Sequence, residues 1–256
     1  YLSFALALLV VIRHTNNIEV YGLTSGVLFW IEMFFAELTD LAVPTFFFLS
    51  GYLFYQNYTP GILLKKWKSR LFSLVIPYLI WNGIAYLYLV VLCSIPSLRD
   101  SLTTPLDSFS FTVFCRELVF GDHNLVTWFL RCLIIYTIGT RILYWIIKNK
   151  YGTVVIMIIL LLLVTYVNKQ TINYWIMYVM GACSGLNGKS LVRMKYPKLL
   201  VMASGILLLF SVAIGMCTDL HVSDHQITVY TVVRLMQVVM IWICADVLAL
   251  ERQPKW

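Results

Sequence analysis

Long stretches without a single charged side chain decide the solvent in which this chain folds. Residues 41 to 64, 71 to 98, 151 to 168, 170 to 188 and 199 to 218 carry no charge. Each is close to or beyond the roughly 18 to 20 residues that a helix needs to cross hydrocarbon. Two further apolar runs, 125 to 147 and 227 to 248, embed arginines: Arg131 and Arg141 in the first, Arg234 in the second. Together with the opening run, which ends at Arg13 and His14, this pattern predicts about eight spans.

Composition agrees, with 61% hydrophobic and only 12% charged residues, against about a quarter charged in ordinary soluble domains. Period-2 alternation is absent and the runs are continuously apolar, which makes strands a poor alternative. The predicted fold is all-α, a polytopic transmembrane helical bundle forming one domain over residues 1–256. No soluble domain and no repeat stands out. The chain opens inside an apolar stretch with no basic n-region or small-residue cleavage site, so the first run reads as a retained span rather than a signal peptide. Both ends read as points where a longer sequence continues. The longest polar stretch, about residues 96 to 124, reads as an extramembrane loop long enough to suggest function.

Orientation follows from the basic residues. One set of connections holds Lys65, Lys66, Lys68, Arg70, Lys148, Lys150, Lys189, Arg193, Lys195, Lys198, Arg252 and Lys255, which is 12 of the 19. The alternate set holds Glu19, Glu32, Glu37, Asp40, Asp100, Asp107, Glu117, Asp122, Asp219 and Asp224, which is 10 of the 12 acids. The basic side is therefore cytoplasmic and the first span starts inside. The net charge of +7 reflects this asymmetry; no basic groove-binding element speaks for nucleic acid.

His14, at the end of the first span, is a functional candidate because an ionisable side chain is costly at membrane depth. Arg13 points about 100° away around the helix and can snorkel to the interface. Arg131 and Arg234 lie inside spans and must face a partner, a cavity or a ligand; Glu37 and Asp40 are the acids available for pairing. Ser50 in FLSGY does not complete the nucleophile-elbow pattern and, with Gly51, fits close helix approach better. His221 and His225, beside Asp219 and Asp224, have the spacing of a metal pair but no third ligand, and no metal is expected. Cys93, Cys115, Cys132, Cys183, Cys217 and Cys244 form no CxxC pair; a disulfide among Cys93, Cys115 and Cys217 stays open.

Five segments then occur in a telling order: VVIRHT, VPTFFFLSGYLF, KKWKSRLFSLVIPYLIWN, TWFLRCLIIY and YWIMYVMGACSG. Over about residues 1 to 190 the chain resembles the acyltransferase 3 family of integral-membrane acyltransferases. The resemblance implies an O-acyltransferase of the bacterial cytoplasmic membrane, multi-pass, with no permanently bound cofactor. Its donor would be acyl-CoA, by family habit acetyl-CoA. Its acceptor would be a hydroxyl of a cell-surface glycan or lipid-linked glycan at the outer face. The family's first-helix histidine maps onto His14, as catalytic base or, alternatively, as a residue that passes the acyl group on covalently, and its basic motif maps onto Lys66, Lys68 and Arg70 as the CoA-binding cations. The physical chemistry suits that mapping, since clustered cations hold a 3'-phosphate and a diphosphate by charge-assisted bonds. Positive-inside topology accounts for the same cluster. Arg131 is expected on the acyl-CoA path or paired with a carboxylate, and Asp40, Ser50 and Arg234 are expected to line the acceptor side. Two departures stand out: the family's basic residue eleven positions before the histidine is here Ser3, and the family's further C-terminal helices are missing.

The alternative from another class is a multi-span transporter or flippase of a glycan or lipid intermediate, with His14, Arg131 and Arg234 along its path. Inverted repeats would support it, and none is visible. A non-catalytic membrane scaffold would leave the intramembrane cations unexplained.

Overall fold

The computed structural model describes residues 2–15, 22, 24–100, 102, 105–106, 109–167, 170–187, 197–217 and 227–251. All regular structure among the described residues is helical. The chain divides into two compact units, Tyr1–Tyr58 with Tyr144–Trp256, and Thr59–Leu143.

The first unit begins with α1 (Leu2–Arg13), α2 (Val27–Thr39) and α3 (Ala42–Tyr55). In α3 ten of the 14 residues are buried, so it is a core helix rather than a lipid-facing one. It ends because Asn57 adopts a left-handed conformation with φ 55°, which asparagine tolerates better than most residues, and because Pro60 follows within three positions. The second unit runs through α4 (Leu63–Arg70), a π-helical turn over Leu71–Val75, α5 (Ile76–Cys93), α6 (Phe111–Phe120) and α7 (Trp128–Ile138). The chain then passes through α8 (Thr140–Ile147) and returns to the first unit with α9 (Lys150–Val167), α10 (Gln170–Leu186), α11 (Lys198–Cys217) and α12 (Ile227–Glu251).

The centre of the first unit is the packing of α3 on α10. Both helices belong to the motifs quoted above, and their small residues explain the contact. A Cβ on Gly51 would strike the Tyr178 carbonyl, one on Gly181 the Phe48 carbonyl and one on Gly185 the Tyr52 carbonyl. Gly181 and Gly185 have the spacing that lets backbones touch in lipid, where apolar side chains gain little from leaving one hydrocarbon for another. Aromatic rings fill the flanks: Phe47 stacks on Tyr174 at 5.0 Å and Phe48 meets Trp242 edge-on at 5.1 Å.

Two helices of the described residues are long and apolar enough to cross a membrane: Pro60–Cys93, with 34 residues, and Leu199–Met216, with 18. The pair α7 and α8, bent by 63°, makes a third if taken as one broken span. The expected count of about eight is not confirmed. One reason is that an apolar run need not be one helix: residues 41 to 64 break at Asn57 and Pro60, and 125 to 147 bend at Gly139. Three further apolar stretches, Leu2–Arg13, Lys150–Tyr166 within α9 and Val229–Cys244 within α12, are shorter. Conversely, the lysines of α4 do not interrupt the helix, which continues through them into α5.

Candidate functional site

His14 lies at the exposed end of α1, one residue past Arg13, with its backbone N–H donating to the Val10 and Val11 carbonyls at 3.3 and 3.1 Å. The Thr15 hydroxyl donates to the Ile12 carbonyl at 2.8 Å and closes the helix end. Beside it stands a chain of charges. Arg13 Nη2 approaches Asp40 Oδ1 at 3.3 Å. Arg234 Nη2 donates to Asp40 Oδ2 at 3.4 Å and to Glu37 Oε2 at 3.1 Å.

Arg234 is only 3% exposed and Glu37 6%, so both are removed from solvent. Such charges persist only when paired and further hydrogen-bonded. Arg234 Nη1 donates to Gln237 Oε1 at 3.1 Å, Gln237 Nε2 donates to Ser211 Oγ at 2.9 Å, and the guanidinium lies over the Tyr230 ring at 4.8 Å. Gly215 leaves room for the Glu37 carboxylate, which a Cβ there would meet at 2.6 Å. Two arginines and two acids balance in charge, and the cluster ties α1, α2, α11 and α12 together. The sequence suggested that Arg234 could pair with outer acids. Gln237, Ser211 and Tyr230 gave no signal beyond being polar or aromatic in an apolar helix. Ser50 is half-buried on α3, beside the glycine contact.

In the second unit, Lys66 and Arg70 lie one turn apart on α4 and are half-buried, whereas Lys65 and Lys68 are exposed. The cations therefore wrap the helix instead of forming one stripe. Trp67 Nε1 donates to the Thr137 carbonyl at 3.0 Å. Beside the π-helical turn is a cavity of about 230 Å³ lined by Trp67, Arg70, Leu74, Ile134, Thr137 and Ile138, among others. Turns of this kind recur at functional sites.

Arg131 donates through Nη1 to the Phe120 carbonyl. Tyr78 and Asn82 do the same for the neighbouring carbonyls, the Tyr78 hydroxyl to Val119 at 2.7 Å and Asn82 Nδ2 to Leu118 at 3.2 Å. Three side chains thus satisfy three consecutive carbonyls at the end of α6, which have no partner within their own helix. Asn82 Oδ1 accepts in turn from the Thr127 hydroxyl at 2.8 Å and from Asn124 Nδ2 at 3.1 Å. Just beyond, Glu117 Oε2 accepts from the His123 N–H at 3.3 Å, and Oε1 stands 3.0 Å from His123 Nδ1. That second contact is close but is not an aligned hydrogen bond, since Nδ1 has no hydrogen-bond partner. Sequence reading missed the Asn82 network; the one available signal was an asparagine inside an otherwise apolar helix.

Cys93 and Cys115 are both free thiols, Cys93 buried and Cys115 exposed, so no disulfide joins them. His221, His225, Asp219 and Asp224 lie outside the described residues, as does the Cys217 side chain. Among the described residues no group of three or more metal-ligating side chains gathers.

A family model described as an acyltransferase domain matches residues 4–256. The chain belongs to the acyltransferase 3 family. This acyltransferase is a membrane protein, and its activity requires an acyl donor and an acceptor substrate. No curated protein and no solved structure matches it. The match gives no support to a transporter or flippase. Within the acyltransferase, the segments quoted from the sequence meet one another: SGYLF on α3 packs against MGACSG on α10, and the final asparagine of IPYLIWN bonds the first threonine of TWFLRC.

Proposed function

We propose that this acyltransferase takes an acyl group, acetyl by family habit, from acyl-CoA on the cytoplasmic side of a bacterial inner membrane. It delivers that group to a hydroxyl of a cell-surface glycan or lipid-linked glycan at the outer face. The observation that carries the reading is the family match over residues 4–256, and the division of lysines and arginines from acids between alternate connections supports its direction.

In this reading Lys66, Lys68 and Arg70 hold the phosphates of the donor, as mobile and fork-shaped cations do. Arg131 spends one N–H on a carbonyl, and a guanidinium has five, so it has donors left for the acyl-CoA path. His14 withdraws the proton of the acceptor hydroxyl as the oxygen attacks the thioester carbonyl. The C–O bond forms, the C–S bond breaks, and the thiolate of CoA leaves and takes up the proton that His14 carried. Ser50 and Arg234 belong to the same proposal as polar groups on the acceptor side, and Asp40 stands between Arg13 and Arg234.

A bilayer core is about 30 Å thick, so donor and acceptor need not share a compartment. In sealed vesicles of known orientation, acetyl-CoA supplied only on the basic-loop side is expected to acylate an acceptor confined to the opposite side. Product found only when both share one compartment would defeat the transmembrane step and leave same-side acyl transfer standing.

A further inference from the structure

We infer that Asp40 is a positioning residue, acting through Arg13 to hold the end of α1 that carries His14. The inference rests on the reading of His14 as the base. Asp40 divides its two oxygens between two arginines: Oδ1 faces Arg13 at 3.3 Å and Oδ2 accepts from Arg234 at 3.4 Å. The arginines differ in their surroundings. The Arg234 side chain is 4% exposed and the Arg13 side chain 46%.

This gradient gives the cluster a direction. Arg234 is fixed from several sides, by Glu37, Gln237 and the Tyr230 ring. Asp40 is fixed by its backbone as well, since it closes α2 with its N–H donating to the Ala36 carbonyl at 3.1 Å. Arg13 has a long and flexible side chain, and Asp40 is its ion-pair partner. Rigidity therefore passes from the buried guanidinium through Asp40 to Arg13, and from Arg13 to the adjacent residue, His14. α1 is a helix of 12 residues, and its terminal turn would fray without such an anchor. A base must hold its place to within a fraction of an ångström, because misplacement by about 1 Å can cost 10²-fold in rate.

The role differs from an acceptor contact in what it predicts. Loss of a substrate contact raises KM, whereas loss of alignment lowers kcat and leaves KM near its value. Asp40→Asn keeps the shape of the side chain and removes its charge. Its kcat is expected to fall by about 10²-fold, with KM for donor and acceptor within about twofold. Arg13→Gln, at a half-exposed position and with Asp40 still paired to Arg234, should reproduce that fall, and Arg13→Lys should recover part of it. The double variant should be no slower than either single one, as for two residues in one chain of action.

Additive losses in the double variant would overturn the inference, because the two residues would then act separately. A raised acceptor KM at unchanged kcat in Asp40→Asn would overturn it in favour of substrate contact. Should Asp40→Asn fail to fold, Arg13→Gln decides alone: wild-type kcat refutes the inference, and a fall reversed by lysine supports it. Full activity in His14→Ala would remove the base reading and this inference with it. An inactive His14→Ala beside an Asp40→Asn with wild-type kcat would remove only the positioning role.

Discussion

The two units enclose their largest polar clusters by opposite means. In the first, Arg234, Glu37 and Asp40 keep full charges away from water and balance them against one another. In the second, Tyr78, Asn82, Thr127 and Arg131 spend hydrogen bonds, mostly neutral ones, on the carbonyls that end α6 and on each other. The difference lies in what remains when one partner is lost. A deserted carboxylate inside a bundle carries its whole desolvation cost, whereas a deserted amide or carbonyl loses one hydrogen bond and often finds another. The first unit should therefore fail abruptly, and the second by degrees.

Arg234→Met is the harshest test of that contrast, because it takes the buried cation away from Glu37 and leaves Asp40 only its half-exposed partner Arg13. A loss of about 3–5 kcal/mol is expected, read as a fall in thermal stability in detergent. Adding Glu37→Gln should restore part of it, since the remaining site then holds one fewer buried charge. A loss below about 1 kcal/mol would show that the cluster is better hydrated than its burial implies.

His14→Ala separates activity from stability within the same unit. Acyl transfer should drop by 10²-fold or more, as for a missing general base, while the melting temperature stays near that of the unaltered protein because the side chain is exposed. Retained activity above about a tenth would end the assignment of His14 as base.

The mildest expected effect is Asn82→Ala in the second unit, about 1 kcal/mol. Thr127 can still donate to the Asn124 carbonyl at 3.0 Å, so the network loses its centre without leaving every member alone. A loss as large as that of Arg234→Met would erase the distinction between the units.

Much of the helical architecture could be read in the residues, because an apolar run has few ways to satisfy its backbone in lipid. The role of Gly51 was legible too: a small residue beside serine in SGYLF implies close approach, and its meeting with α10 follows that logic. The number of spans was not legible. Charge-free length measures hydrophobicity, but the continuity of a helix is settled at single positions such as Asn57 and Gly139. The partner of Arg131 was hidden for a different reason. Sequence shows every carboxylate but marks no backbone carbonyl as available, so the end of α6 could not be foreseen as its target. Arg234 was easier, since its acids could be read directly and only the choice among them remained.

The π-helical turn at Leu71–Val75 acts as a spacer of one residue inside a long rod. Everything on α5 is turned by roughly 100° from where an unbroken helix would carry it. The rod reaches its neighbour at two places, through Trp67 to the carbonyl of Thr137 and through Asn82 to the hydroxyl of Thr127, one before the spacer and one after. The two anchors are thus in phase only because of a length and not because of any side chain in between. Shortening the segment by one residue would leave both anchoring side chains in the chain and still swing Asn82 away from Thr127, so a change in residue count there is a more drastic edit than most changes of residue type.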